Sequence, residues 1–282
     1  MGVNAKKPLS PYLKPAQEPS SSEEGKSSQA SQLVLQAKGE APRLGVNIDH
    51  IATLRQLRGT PYPNLIEAAQ AVQEAEADQI TVHLREDRRH IQDQDVQQLK
   101  KTLQIPLNLE MSVAPEIVEF AIEIQPTWAC LVPERREELT TEGGLDLERN
   151  HSRIRSVIND LKKVGIYVSL FVEPKQEAMV QSLELGAHAV ELHTGTYAND
   201  GASSVELKKI EGAAREGRRL GLKVHAGHGL DYQNVRPLID LRDESGATLI
   251  EEYNIGHSII CRAAMVGLKT AVREMRSAVI AP

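Results

Sequence analysis

The sequence predicts a closed (β/α)8 TIM barrel, and two observations carry that prediction. Eight short apolar or β-branched runs recur between residues 43 and 282, each followed by a stretch whose apolar residues return at helical spacing. Ionisable side chains also gather at the ends of those runs, where a barrel of this kind builds its active site. Alternating strands and helices imply a parallel sheet with right-handed crossovers, and eight such units fit about 250 residues. An open doubly wound sheet is the alternative. Its Gly-rich fingerprint is missing, because the first strand runs into Asn47-Ile48-Asp49-His50 instead.

The expected strands cover 44–49, 79–84, 107–111, 128–132, 167–172, 189–194, 223–227 and 249–255. The expected helices cover 64–76, 93–102, 115–124, 151–164, 175–185, 203–220, 233–241 and 258–279. Pro115 suits a first helical turn, where its missing N–H costs nothing. Gly165, Gly186 and Gly221 fall where three helices should end. The eighth strand is unusual, since Glu251-Glu252-Tyr253-Asn254 is polar for a buried segment.

Two domains of unequal kind are expected. Residues 1–42 hold seven serines, five prolines and no arginine, and they cannot bury enough apolar surface to offset their ordering entropy. They read as a disordered N-terminal extension, with the catalytic barrel occupying 43–282. No apolar run is long enough to cross a membrane as a helix. A net charge of −6 argues against nucleic acid or an anionic membrane as partner. The two cysteines, Cys130 and Cys261, lie far apart and outside any CxxC pattern, which disfavours a disulfide scaffold or structural zinc and suits the cytoplasm.

Five of the nine histidines, His50, His83, His193, His228 and His257, fall at or just past expected strand ends. His90 lies in the second loop, Glu110 near the end of strand three, and Glu191 in strand six. Several imidazoles in one place can move protons in both directions near neutral pH. Glu110, between Leu109 and Met111, is placed to act as a base of raised pKa. A Schiff-base aldolase needs a lysine at the mouth, and no strand here ends in one. A metal hydrolase of this fold would open with a His-x-His pair and bring an acid at the end of strand eight, both missing, although His225-Ala226-Gly227-His228 keeps a metal site open. Gly227-His228-Gly229 and Gly256-His257-Ser258 follow strands seven and eight, the usual phosphate corner, where glycines admit an anion to the backbone. Arg55, Arg58, Arg85, Arg88 and Arg89 supply guanidinium groups elsewhere on the rim, although Glu86 and Asp87 compete for the last two. A sugar-phosphate isomerase or epimerase, or a non-catalytic barrel that senses phosphorylated metabolites, remains open on these grounds alone.

The stretches Gly45-Val46-Asn47-Ile48-Asp49-His50 and Thr81-Val82-His83-Leu84-Arg85-Glu86-Asp87 resemble the pyridoxine 5′-phosphate synthase family, also called PdxJ. So do Asn108-Leu109-Glu110-Met111, Cys130-Leu131-Val132-Pro133-Glu134, Thr140-Thr141-Glu142-Gly143-Gly144, Glu191-Leu192-His193-Thr194-Gly195, Ala226-Gly227-His228-Gly229 and Asn254-Ile255-Gly256-His257. The resemblance runs in order from residue 44 to about 275. It implies a cofactor-free transferase that joins 3-amino-2-oxopropyl phosphate to 1-deoxy-D-xylulose 5-phosphate. His83 and Glu110 are then proton acceptors, His228 a proton donor, and Glu191 a transition-state stabiliser. Asn47, Arg58, Gly229, Gly256 and His257 would hold the aminoketone phosphate. Asp49, His50, Arg85, His90 and Thr140 would hold the deoxyxylulose phosphate. The resemblance further implies a homo-octamer built from dimers, with a helix in the first loop completing a neighbour's site. Three departures from the family pattern stand out: the Ser-rich extension, His225 where asparagine is commoner, and a polar excursion at 242–247. The Gly-bearing loop 133–146 is the candidate lid.

Overall fold

The computed structural model describes residues 41–140 and 143–280; the predicted extension, but for residues 41 and 42, lies outside that set, as do Thr141 and Glu142 of the loop. Eight parallel strands close on themselves in sequence order: β1 (Arg43–Asn47), β2 (Gln79–His83), β3 (Leu107–Met111), β4 (Trp128–Leu131), β5 (Tyr167–Val172), β6 (Ala189–His193), β7 (Lys223–Gly227) and β8 (Glu252–Ile255). The expected barrel is the observed one.

The two faces of these strands have opposite chemistry. Leu44, Val46, Ile80, Val82, Leu109, Leu170, Leu192 and Val224 are fully buried and form the core with the surrounding helices. The alternate residues put polar groups into the barrel, where Gln79 Nε2 donates to Glu252 Oε1 (2.7 Å). Asn108 Nδ2 donates to Thr81 Oγ1, and that hydroxyl donates to Asn254 Oδ1. Asn254 Nδ2 donates in turn to Glu191 Oε2 (2.7 Å). The polar character of strand eight follows from this, because Glu252 and Asn254 belong to the lining and Tyr253 and Ile255 to the core.

The helices are α1 (Asp49–Arg58), α2 (Leu65–Glu74), α3 (Asp93–Thr102), α4 (Pro115–Ile124), α5 (His151–Lys163), α6 (Gln176–Leu185), α7 (Gly195–Asn199), α8 (Ser204–Arg219), α9 (Arg236–Ile239), α10 (His257–Val266) and α11 (Leu268–Ile280). Four differ from what periodicity predicts, the first being α7, a short additional helix after β6. The first loop contains α1, whose Leu54 and Leu57 face outward at 52% and 77% exposure, so no amphipathic stripe points to its own core. The helix expected at 233–241 shrinks to α9, because Asp231 Oδ1 captures the N–H groups of Gln233 and Asn234 in a turn. The helix expected at 258–279 breaks into α10 and α11 at Gly267, whose φ of +83° is left-handed. The excursion at 242–247 is a small hairpin closed by an Arg242–Thr248 bridge. It enters β8 at the barrel's amino-terminal end, away from the phosphate corner.

Candidate active site

A cavity of about 1000 Å³ opens at the carboxyl ends of the strands. Its first wall is set by register, since β2 and β3 pair with His83 opposite Glu110. His83 Nδ1 lies 3.8 Å from Glu110 Oε2, and His83 Nε2 lies 3.0 Å from Glu134 Oε1. Glu134 is itself fixed, because its other oxygen accepts from the Glu86 N–H. Asp49, in the first turn of α1, accepts from the His83 N–H (2.9 Å) and from Asn47 Nδ2 (3.0 Å). Glu110 and Glu134 thus flank the imidazole, while Asp49 holds the His83 backbone.

Carboxylates crowd this wall, with Arg85 as the cation that pulls Asp49 and Glu110 back. Burial, with the charges of Glu191 and Asp49 behind it, holds the Glu110 carboxyl well above its ordinary range. Burial raises Asp49 as well, against the opposing hydrogen bond from His83. Glu191 is pushed up to about 7, again by burial first, with Asn254 pulling the other way. Asp49, His83 and Glu110 each offer a ligand atom within 4.8 Å of the others, a spacing that could admit a cation. Both Asp49 oxygens, however, already accept N–H bonds.

The opposite wall carries His228 and His193, with ring centroids 4.9 Å apart. His228 has φ +78°, a strained conformation for a residue with a side chain. Thr194 Oγ1 donates to the carbonyls of both Gly227 and His228 at 2.7 Å and so holds the turn in place. Burial and the nearby His193 lower the His228 pKa. His225, by contrast, is buried inside the barrel, edge-on to Trp128 at 5.3 Å and 3.8 Å from Glu252. It lies a layer below the His228 rim and faces Glu252.

The glycines at this corner also answer a steric need within the protein. A Cβ on Gly227 would sit 2.3 Å from Glu191 Oε1, and one on Gly256 would sit 2.9 Å from the Asn47 carbonyl oxygen. They make room for neighbouring site residues as well as for any anion. Gly229 (φ +79°), Gly256, His257 and Ser258 line the cavity, and the amino end of α10 points its first turn there.

Of the five rim arginines, only Arg85 lines the cavity. Arg55 grips Asp95 through two nitrogens at 2.6 and 2.7 Å, Arg88 holds Asp93 at 2.6 Å, and Arg89 holds Asp87 at 2.7 Å. Arg58 is exposed on the last turn of α1, outside the lining. Thr140 lies outside it too, its hydroxyl spent on Glu173 Oε1 (3.3 Å). Asn47, Asp49, His50, His83, His90, Glu110, Glu191, His228 and His257 all face the one cavity. His50 Nε2 lies 3.3 Å from His257 Nδ1, and His90 is lowered to about 4, chiefly by burial.

Residues 44–281 match the family model of the pyridoxal phosphate biosynthesis protein PdxJ. This chain is a member of the PdxJ family. It is 52% identical over 238 residues to the pyridoxine 5′-phosphate synthase of Coxiella burnetii, covering 83% of this chain and 97% of that one. It is 51% identical to the protein of the same name from Thioalkalivibrio sulfidiphilus, over 84% and 96% of the two chains. Among solved structures, 3-keto-L-gulonate-6-phosphate decarboxylase from Vibrio cholerae superposes with a TM-score of 0.59 over 86% of this chain and all of that one. At 13% identity, that likeness concerns the barrel alone.

Within the PdxJ barrel, two carboxylates escaped the sequence reading of function, Glu134 and Glu173. Glu134 stands in a quoted motif, but nothing in the sequence says that its loop folds back onto His83. Glu173 follows β5 as a lone acid and meets His193 Nδ1 at 3.2 Å only because strands five and six are neighbours.

Proposed function

We propose that this chain is a pyridoxine 5′-phosphate synthase, condensing 3-amino-2-oxopropyl phosphate with 1-deoxy-D-xylulose 5-phosphate to pyridoxine 5′-phosphate, phosphate and water. The observation that carries the reading is the opposition of two proton-handling walls across one cavity: Glu110 with His83 on one side, His228 on the other. The amine of one substrate condenses with the ketone of the other, so no enzyme lysine is required, and none lines the cavity among the described residues. The dehydrations, phosphate loss and ring closure that follow demand proton transfers both ways.

In this reading Glu110 takes protons from substrate carbon or oxygen, and its raised pKa makes it a stronger base than an ordinary carboxylate. His83 acts beside it, its ring fixed by Glu134 so that Nδ1 faces Glu110. His228 donates to leaving oxygen, and its lowered pKa makes it a willing acid once protonated. Glu191, deeper in the barrel, offsets positive charge that develops on nitrogen during the condensation. Within the Asp49, His83 and Glu110 trio, His83 and Glu110 handle protons, while Asp49 holds substrate and the His83 backbone. The amino end of α10 with Gly229 and His257 takes one phosphate; Arg85, His50 and His90 take the deoxyxylulose phosphate. Arg58 and Thr140 join only if a neighbouring subunit or a shift of the loop brings them in.

The homo-octamer belongs to the same proposal. Leu57 (77% exposed) on α1 and Met265 (82%) on the adjacent α10 give an apolar surface suited to a second subunit. Light scattering on the purified protein tests it, and a monomer at micromolar concentration counts against it. Two free thiols suit a cytoplasmic enzyme, and no described helix is long and apolar enough to cross a membrane. The decisive assay mixes both substrates and follows pyridoxine 5′-phosphate and inorganic phosphate together. Matched appearance, abolished in Glu110→Gln, supports the synthase; phosphate without the pyridine points to a simple elimination catalyst.

A further inference from the structure

The proposed chemistry leaves His193 and Glu173 without a task, although both are buried and His193 faces the cavity. Glu173 Oε1 takes three donors at once: His193 Nδ1 at 3.2 Å, the Gly144 N–H at 2.7 Å and the Thr140 hydroxyl at 3.3 Å. The packing around these bonds is close. A Cβ on Gly144 would fall 2.8 Å from the Glu173 nitrogen, and one on Gly143 3.2 Å from His193 Cε1. The far side of the His193 ring is bounded by Phe171 (5.0 Å) and His228 (4.9 Å between centroids), with Gly195 against its Nε2 edge. One oxygen therefore fixes both the segment that carries Thr140 and the ring on which the His228 ring leans.

We propose that Glu173 is a positioning residue that sets the His193–His228 pair together with Thr140 and Gly144, so that the proton donor and the substrate-binding Thr140 share one anchor. The carboxylate accepts from Nδ1–H, which fixes the orientation of the His193 ring beside His228. The proposal rests on the synthase reading for its kinetic test and on geometry alone for its structural one.

Two variants separate the roles. Glu173→Ala deletes the shared acceptor; Glu173→Gln keeps an oxygen that can accept all three bonds. In the synthase assay, Glu173→Ala should lower kcat about 10–100-fold, the scale of a lost hydrogen bond to a charged group, and raise KM for deoxyxylulose phosphate. Glu173→Gln should recover most of both. Wild-type kcat and KM in Glu173→Ala overturn the proposal, and so does a Gln variant as impaired as the Ala variant. Hydrogen exchange needs no turnover, and its wild-type arm needs no variant. In wild type the peptide spanning 143–146 should exchange slowly, and faster in Glu173→Ala than in Glu173→Gln; rapid exchange in wild type refutes the anchor. A wild type that makes no pyridoxine 5′-phosphate but shows this exchange pattern would sink the synthase reading and leave the anchor standing.

Discussion

The two ends of the barrel are both rich in charge, yet they are built on opposite rules. At the amino-terminal end each buried charge has a partner of opposite sign: Arg43 with Glu252 at 3.2 Å, Lys223 with Glu251 at 3.1 Å, and Arg218 with the same Glu251. At the carboxyl-terminal end burial raises Asp49, Glu110 and Glu191, the charges of Glu191 and Asp49 raise Glu110 further, and the three share the space with histidines. Pairing of the first kind secures a fold. Crowding of the second kind disfavours ionisation, and a structure retains it only for what the perturbed groups can do. The lesson is that charge content alone does not mark a site; the unbalanced arrangement does.

The contrast can be broken most severely at the mouth. His83→Ala and Glu110→Gln should each lower kcat at least about 100-fold, the scale of a general acid or base. Glu110→Gln should do so while raising stability at pH 8. Its folded-state pKa lies above the ordinary 4.5, so the wild type bears the full cost of ionising it above the raised pKa and none below about pH 4.5. A Tm higher by about 2–4 °C corresponds to about 1 kcal/mol in a domain of this size. The advantage should vanish near pH 4, and calorimetry at both pH values checks the sign.

At the other end the order reverses. Arg43→Met leaves Glu252 without its cation and should destabilise by about 3 kcal/mol at pH 8, with kcat unchanged. The loss should shrink at low pH, because burial already raises Glu252 toward protonation. A fall in kcat with unaltered stability would erase the distinction between the two ends. Next comes Glu134→Ala, which frees His83 Nε2 and should lower kcat about 10-fold with little change in Tm. The smallest effect belongs outside both ends. The Lys269–Glu74 pair is half-exposed on the surface, and Lys269→Ala should alter neither Tm nor kcat measurably.

Much of this was legible in the residues. Strands β3, β5 and β7 run as expected, because an apolar stripe with turn residues on either side leaves little freedom. The helix α1 left no helical stripe, because Leu54 and Leu57 face away from the barrel while Ile51 and Ala52 are buried, and only the family resemblance implied it. At the site, Glu110 and the rim histidines were visible as residue types at strand ends. What they touch was not, since His83 meets Glu110 through strand register and Glu134 through a loop that folds back, and neither leaves a periodic trace. The arginines misled for a related reason: Arg55 looks free in sequence, while its partner Asp95 lies forty residues on.

The unequal ends also foretell how this barrel would decay. A duplicated copy released from the need to turn over substrate would gain stability by shedding Glu110 or Glu191, and lose it by shedding Arg43 or Glu252. Drift would therefore empty one rim and spare the other. A sequence with the lower ion pairs intact and neutral residues at the upper acids would carry the mark of a retired catalyst, recognisable before any assay is run.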